Sequence, residues 1–406
     1  MTDRLVIIGA GQAGFALSAK LRMLGDMRPI TMIGAEPEIP YQRPPLSKKY
    51  LLGEMTFERL TFRPAEWFVE NKVELKLSTW VDAIDPAAQT VTCRGGEEIA
   101  YGTLAFATGS TPRRLPAAIG GDLKGVFVVR DKADADCLAV EMKPGRTLLV
   151  VGGGYIGLEA AAVARNLGLD VTVIEMGERI LQRVASRETA DAMRAIHESH
   201  GVTIREKTGL VRLIGENGHV TGAELADGTT MAVDLVIAGI GASANDALAT
   251  AAGLATSNGI VVDEYARSSD PNIYAMGDCA VLPWKGAQVR LESVQNAIDQ
   301  AEAVACLLVG GTEPYRPKPW FWSDQYDVKL QIAGFNLGFD ETLVRPGSRE
   351  GSRSVWYFSH GELIAVDAIN DAKAYVTGKR LLDTGKITPD LAILADPQAD
   401  LKQLLQ

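Results

Sequence analysis

The sequence contains few cysteines and no pair that could cycle. Cys93, Cys137, Cys279 and Cys306 stand far apart, with no C-x-x-C or C-x-x-x-x-C spacing. That excludes a relay through adjacent thiols and leaves each as a small buried hydrophobe in a reducing cytoplasm. Histidine is also scarce: His197, His200, His219 and His360 form no zinc-like set with the cysteines, and no metal site is expected. His197 and His200 precede Gly201 and read as solvent-exposed. A basic excess is missing: the net charge of −10 over 406 residues argues against a nucleic-acid binder. Residues 147–164, the most apolar long stretch, are interrupted by glycines and Glu159, so no membrane span is expected. Residues 4–14 already read as strand and glycine turn, so no cleavable leader is expected either. Low-complexity tracts and charge blocks are absent, and no disordered tail is required.

What the chain does have is one phosphate-cradling pattern written twice. Val6-Ile-Ile-Gly9-Ala-Gly11-Gln-Ala-Gly14 and Leu149-Val-Val-Gly152-Gly-Gly154-Tyr-Ile-Gly157 each follow a β-branched run and open a helical pattern. Each helix stops near a glycine (Gly25, Gly168) and is followed by a second apolar strand. A lone G-x-G-x-x-G is weak evidence, but duplication of the whole strand-turn-helix-strand unit points to two nucleotides. The first glycine permits the tight bend, the second lets backbone approach a pyrophosphate, and the third lets helix pack on strand. Ile156, Ala160, Val163 and Leu167 recur at helical spacing, which predicts one buried face for the second helix. With 47% hydrophobic residues, the chain suits a globular protein of two or three domains.

Glu175 ends the second strand of the second unit, eighteen residues after Gly157, where an acid accepts from a ribose 2′-hydroxyl and repels a 2′-phosphate. NADH is therefore expected over NADPH, although Arg179 and Arg183 further on could in principle recruit a phosphate. In the first unit Gly34, not an acid, stands opposite Glu175; Glu36 is the nearest candidate, and a solvated acid at a strand end is the alternative.

The order of these units, with Tyr41-Gln-Arg-Pro-Pro-Leu-Ser-Lys48, Asn272-Ile-Tyr-Ala-Met-Gly277-Asp278-Cys279, Leu291-Glu-Ser-Val-Gln-Asn-Ala-Ile-Asp-Gln300 and Pro319-Trp-Phe-Trp-Ser-Asp-Gln325, resembles the FAD-dependent pyridine nucleotide oxidoreductases. Within them it is most similar to the ferredoxin reductases of bacterial oxygenase systems. The resemblance implies an α/β fold, glutathione-reductase-like, with two Rossmann-like nucleotide-binding domains and a C-terminal α+β domain. The expected partition is an FAD domain over residues 1–112 and 243–315, an NAD domain over 113–242 and a C-terminal domain over 316–406. For FAD the implied residues are Gly9, Gly11, Gly14, Glu36, Arg43, Lys48, Thr108, Gly109, Gly277, Asp278, Val294 and Trp322. For NADH they are Gly152, Gly154, Tyr155, Ile156, Gly157, Glu159, Glu175 and Gly241. Lys48 and Glu159 are the implied catalytic pair, beside the isoalloxazine.

The implied reaction is hydride transfer from NADH to FAD, then passage of single electrons to a [2Fe-2S] ferredoxin that feeds a haem-thiolate monooxygenase or a Rieske dioxygenase. A disulfide reductase, peroxidase or NADH oxidase would need a redox thiol near the flavin, and Pro44-Pro45-Leu46-Ser47 contains none. A rubredoxin reductase, or a flavoprotein of the apoptosis-inducing type acting through nucleotide-dependent partner binding, is the alternative.

Overall fold

The computed structural model describes residues 2–406. They divide into two compact units: residues 2–42, Thr56–Thr111 and Ala242–Pro319 in the first, and Arg43–Met55, Pro112–Gly241 and Trp320–Gln406 in the second. Among the described residues no helix is long and apolar enough to cross a membrane.

The first unit is built on a five-stranded parallel sheet in the order Val73–Lys76, Ile30–Ile33, Leu5–Ile8, Thr103–Phe106, Ile273–Ala275. Leu5–Ile8 and Ile30–Ile33 are buried along their whole length, as expected of parallel strands covered on both faces. Helices Gln12–Met23 and Val294–Leu308 pack there, through Ala13, Ala16 and Leu17 of the first and Ala297, Ala301 and Val304 of the second. Small residues let these helices lie close. Gly25, at φ +81°, ends the first helix, and the amide of Asp26 beyond it returns to the Leu21 carbonyl.

The second unit repeats the scheme. Its parallel sheet runs Thr203–Arg205, Asp170–Ile174, Thr147–Val151, Leu235–Ala238, Val126–Phe127. The helix Tyr155–Asn166 follows its glycine turn, but the expectation of one buried face needs correction. Residues 157–164 are buried all round, whereas Ile156 is 54% exposed. The run Ala160-Ala-Ala-Val-Ala164 has no bulk to hold neighbours away, so packing closes on every side.

The same unit carries an antiparallel sheet, Trp320–Gln325, Val328–Gly334, Glu362–Ile369, Arg353–Ser359, Glu341–Pro346, with helix Ala372–Thr384 against it. A buried polar cluster ties this sheet to helix Arg187–Ser199. Asp367 accepts from the Thr189 hydroxyl at 2.7 Å and from the Tyr357 hydroxyl, and Tyr357 also receives the Ser186 amide at 3.0 Å. Burial pushes the Asp367 carboxyl up to about 6, against the lowering effect of its two donors. A raised folded value stabilises the fold fully below the ordinary value near 3.8, and that stabilisation is lost as pH rises through about 6. Asp367→Asn is therefore expected to remove a slope of about 3 kcal/mol between pH 4 and 7 from urea-unfolding stability. An Asn variant with the wild-type slope would show that another group titrates.

Candidate functional site

Both glycine turns fit a dinucleotide, and they do so in the same way. A Cβ on Gly9 would lie 2.1 Å from the Ala107 carbonyl oxygen, and one on Gly152 would lie 2.4 Å from that of Gly239. A Cβ on Gly14 or Gly157 would lie 2.2 Å from the carbonyl oxygen of Gly9 or Gly152, respectively. Gly11 and Gly154 face open space instead, with no atom within 4 Å of an added Cβ. First and third glycines are thus held by packing, and the middle one leaves room for a ligand. Helices Gln12–Met23 and Tyr155–Asn166 start at these middle glycines with no side-chain cap and no acid in the first turn. Helices Lys132–Glu141, Arg187–Ser199, Val294–Leu308 and Ala372–Thr384 carry caps from Asp131, Ser186, Ser293 and Asp371. Uncapped amides at a positive helix end suit a pyrophosphate.

The two turns differ at the second strand. In the second unit the Glu175 carboxylate accepts from the amides of Gly153, at 2.8 Å, and Gly177, at 2.7 Å. In the first unit Gly34 occupies the equivalent place, and a Cβ there would lie 2.7 Å from the Ala10 methyl. Ala10 fills the space that an acid would need. Glu36, two residues later, accepts from the Tyr41 hydroxyl.

Around the first cradle, Asp278 accepts from the Ser110 hydroxyl at 2.9 Å, and the Gly277 amide donates to the Gln300 side-chain oxygen at 2.9 Å. Gly277 is required for its left-handed backbone, φ +73°, between Ala13 and Ala297. Thr108 and Asn245 exchange two hydrogen bonds of 2.8 Å, and Gly109, at φ +67°, accepts from the Asn245 amide at 3.0 Å. Val294 opens its helix as expected, with the Ser293 hydroxyl accepting from the Asn296 amide at 3.1 Å.

Around the second, Gly241 has φ +93°, and its missing Cβ would lie 3.8 Å from an Arg183 nitrogen. Arg179 does not reach out: its guanidinium donates to the carbonyls of Ile180, Ala185 and Ser186. Arg43 donates to the Arg130 carbonyl at 3.1 Å. Trp322, half-buried, packs against Trp320 and Phe321, with ring centroids 5.6 and 6.4 Å away.

Lys48 and Glu159 meet within this second unit. Pro44–Ser47 forms a 3-10 turn with prolines at its start, which fixes the backbone just before Lys48. The Lys48 ammonium lies 2.6 Å from Glu159 Oε2 and 3.3 Å from the Pro44 carbonyl. Glu159 is buried, and takes the Ser47 hydroxyl at 3.1 Å on Oε2 and the Ser323 hydroxyl at 2.7 Å on Oε1. Such a carboxylate is satisfied on both oxygens, which is the condition for keeping a charge out of water. Tyr155, one turn earlier, packs its ring tilted against that of Phe321, with centroids 4.9 Å apart. Burial raises its hydroxyl well above the usual range.

His197 requires a second correction. It is buried, not solvent-exposed, donating or accepting at 2.6 Å with Gln325 and at 3.1 Å with the Tyr326 hydroxyl. Of these two, His200 is the exposed one, stacked on Tyr326 at 3.7 Å. Burial lowers His197 to about 4, the Gln325 contact opposes this, and nearby His200 adds to it. Sequence reading placed Lys48 and Glu159 but missed Ser47, Ser323, Gln325 and His197 as their surroundings. The alternation Phe321, Ser323, Gln325 on one face of a strand was the available signal, since buried polar residues at period two need partners.

Known proteins share this arrangement across the chain. The family model described as pyridine nucleotide-disulphide oxidoreductase matches residues 3–301, and one described as reductase C-terminal matches residues 320–405. A ferredoxin--NAD(P)(+) reductase of a Sphingomonas species is 42% identical, over 100% of this chain and 99% of that one. Rhodocoxin reductase of Rhodococcus erythropolis is 42% identical, over 98% and 93%. The crystal structure of the covalent putidaredoxin reductase-putidaredoxin complex aligns with a TM-score of 0.96 at 36% identity, over 99% and 98%. With two glycine cradles, paired thiols absent and these matches end to end, the chain belongs to the pyridine nucleotide-disulphide oxidoreductase family, in the branch that carries the reductase C-terminal domain.

Proposed function

We propose that the protein is an NADH-dependent ferredoxin reductase, which takes a hydride from NADH onto FAD and delivers electrons singly to a [2Fe-2S] ferredoxin feeding an oxygenase. The observation that carries this reading is the repeated cradle, in which both helix starts lack side-chain caps while the other long helices have them. FAD, when bound, supplies the conversion between two-electron and one-electron chemistry. Relatives named for ferredoxin and rhodocoxin support a small redox protein as acceptor. The terminal oxygenase is of the haem-thiolate or Rieske class, and the reaction belongs in the cytoplasm, where NADH is supplied.

In this reading, Gly9, Gly11 and Gly14 hold the FAD pyrophosphate, Glu36 the adenosine ribose, Arg43 the phosphates, and Asp278 the ribityl or phosphate part. Thr108, Gly109, Val294 and Trp322 complete the flavin surroundings. Gly152, Gly154, Tyr155, Ile156, Gly157 and Gly241 hold NADH, and the exposure of Ile156 suits a ligand contact better than a core position. Lys48 and Glu159 orient the nicotinamide, and the Lys48 ammonium offsets negative charge developing beside it. The FAD domain takes residues 1–112 and 243–315, the NAD domain 113–242 and the C-terminal domain 316–406.

Steady-state turnover with NADH and a panel of [2Fe-2S] ferredoxins tests the chemistry and the partner class together. Oxidation of NADH with no ferredoxin reduced at any concentration would end the reading. Asp278→Ala is expected to weaken FAD retention, measured as flavin released on dilution; full retention would remove Asp278 from the site.

NADH should be preferred to NADPH, because a 2′-phosphate brought to Glu175 meets a carboxylate already fixed by two amides, and Arg179 is committed to backbone carbonyls. Glu175→Ser should narrow the ratio of kcat/KM values by about tenfold or more, through loss of that repulsion. Equal kcat/KM for both donors in the unaltered enzyme contradicts the argument.

A further inference from the structure

Beyond Glu159, four buried or half-buried side chains continue in a line of hydrogen bonds. The Ser323 hydroxyl reaches Glu159 Oε1 at 2.7 Å, Gln325 Nε2 reaches Ser323 Oγ at 3.0 Å, His197 Nε2 meets Gln325 Oε1 at 2.6 Å, and the Tyr326 hydroxyl meets His197 Nδ1 at 3.1 Å. Ser323, Gln325 and His197 are all buried, and Tyr326 leads to the exposed ring of His200. The charge at one end dictates every proton along this line. A carboxylate paired with Lys48 can only accept, so the single Ser323 proton points at Glu159. Ser323 then has only lone pairs for Gln325, which must present its NH₂ there and its carbonyl to His197. His197 must therefore donate from Nε2, leaving Nδ1 bare to accept from Tyr326. All four donations run toward Glu159.

We propose that His197 and Gln325 are positioning residues, whose ordered hydrogen bonds pin the Ser323 hydroxyl on Glu159 and so hold that carboxylate in the orientation it uses toward the nicotinamide. This rests on the reading of Glu159 given above. Without His197 nothing fixes the Gln325 amide; once turned, its carbonyl competes with Glu159 for the Ser323 proton. Other ionisable groups on this line are Lys48 and Tyr155 facing Glu159, and His200 and Arg165 near Tyr326.

The coupling predicts an observable far from turnover. In holoenzyme carrying ¹⁵N-labelled histidine, His197 should show the neutral Nε2–H pattern, assigned by its loss in His197→Gln. In Glu159→Gln the constraint disappears, because an amide at position 159 can donate to Ser323 and the whole line can reverse. The Nδ1–H form of His197 should then appear. A His197 tautomer that is the same with and without the charge on Glu159 overturns the ordered line.

The positioning role is read from flavin reduction by NADH in stopped flow. His197→Phe should lower the limiting rate about five- to tenfold, the loss of roughly one buried hydrogen bond, with the NADH half-saturation changed less than about twofold. His197→Gln, which can still offer an N–H to Gln325, should return to within about twofold. Should His197→Phe fail to fold, the near-isosteric Gln325→Met breaks the line at its middle and should give the same loss. Unchanged limiting rates, or an equal loss in His197→Gln, overturn the role. Failure of the unaltered enzyme to be reduced by NADH would instead overturn the assigned reaction, and the tautomer measurement, which uses no turnover, separates the two.

Discussion

Lys48→Met and Glu159→Gln should each slow NADH-dependent flavin reduction by about a hundredfold, and the double variant should be scarcely slower than the worse single one. A preorganised charge beside a reacting centre is worth about 10²–10³ in rate. The two side chains form one ion pair at 2.6 Å, so deleting either removes the function of both. Glu159 is also buried, and loss of the ammonium leaves only two hydroxyls, of Ser47 and Ser323, to balance it. Stopped-flow bleaching of FAD in all four proteins yields the coupling energy directly. Independent sites would multiply to about 10⁴, and that product would dissolve the pair.

Arg345→Met should lower unfolding stability by about 3–5 kcal/mol, among the largest losses available to a substitution outside the nucleotide cradles. Arg345 is buried without a carboxylate on it; its guanidinium donates to the carbonyls of Ile393, Leu394, Asp396, Pro397 and Ala399 at 2.5–3.2 Å. Five carbonyls lose a charged donor together, the buried Leu394 carbonyl among them, while that of Asp396 keeps the Ala399 amide at 3.1 Å. Arg345→Lys should rescue little, because three protons on one nitrogen cannot reproduce a planar fork. Urea unfolding measures the loss, and limited proteolysis should cut first beyond Thr384. Stability within about 1 kcal/mol of the unaltered protein would mean that water replaces the clamp.

What the sequence made readable was local. Each cradle is a contiguous strand, turn and helix; Gly14 and Gly157 are demanded by carbonyls inside it, whereas Gly9 and Gly152 are demanded by Ala107 and Gly239, distant in sequence. Lys48 and Glu159 came from the resemblance of their motifs, and the proline turn before Lys48 and the helix Tyr155–Asn166 are the local elements that carry them. What stayed hidden was made by distant partners. His197 and Gln325 lie 128 positions apart, and periodicity carries no trace of such a bond. Ile156 misled because a helical stripe does not reveal that this one residue faces outward while Gly157, Leu158 and the alanines behind it are enclosed. Gly34 signalled a missing acid, but only the Ala10 methyl explains why none fits there.

The division of the chain bears on how it is made. Between residues 2 and 406 the backbone passes from one unit to the other five times, and the excursion Arg43–Met55 that carries Lys48 begins before either sheet is complete. The first sheet lacks its edge strand until Ile273–Ala275 has been synthesised, and the second unit awaits the strands from Trp320 onward. At about 5–20 residues per second, the ribosome leaves the first cradle without a finished sheet for tens of seconds. Neither unit can be released as a single fragment by one cut, and an mRNA truncated anywhere before its last quarter encodes exposed strand edges rather than a smaller working protein.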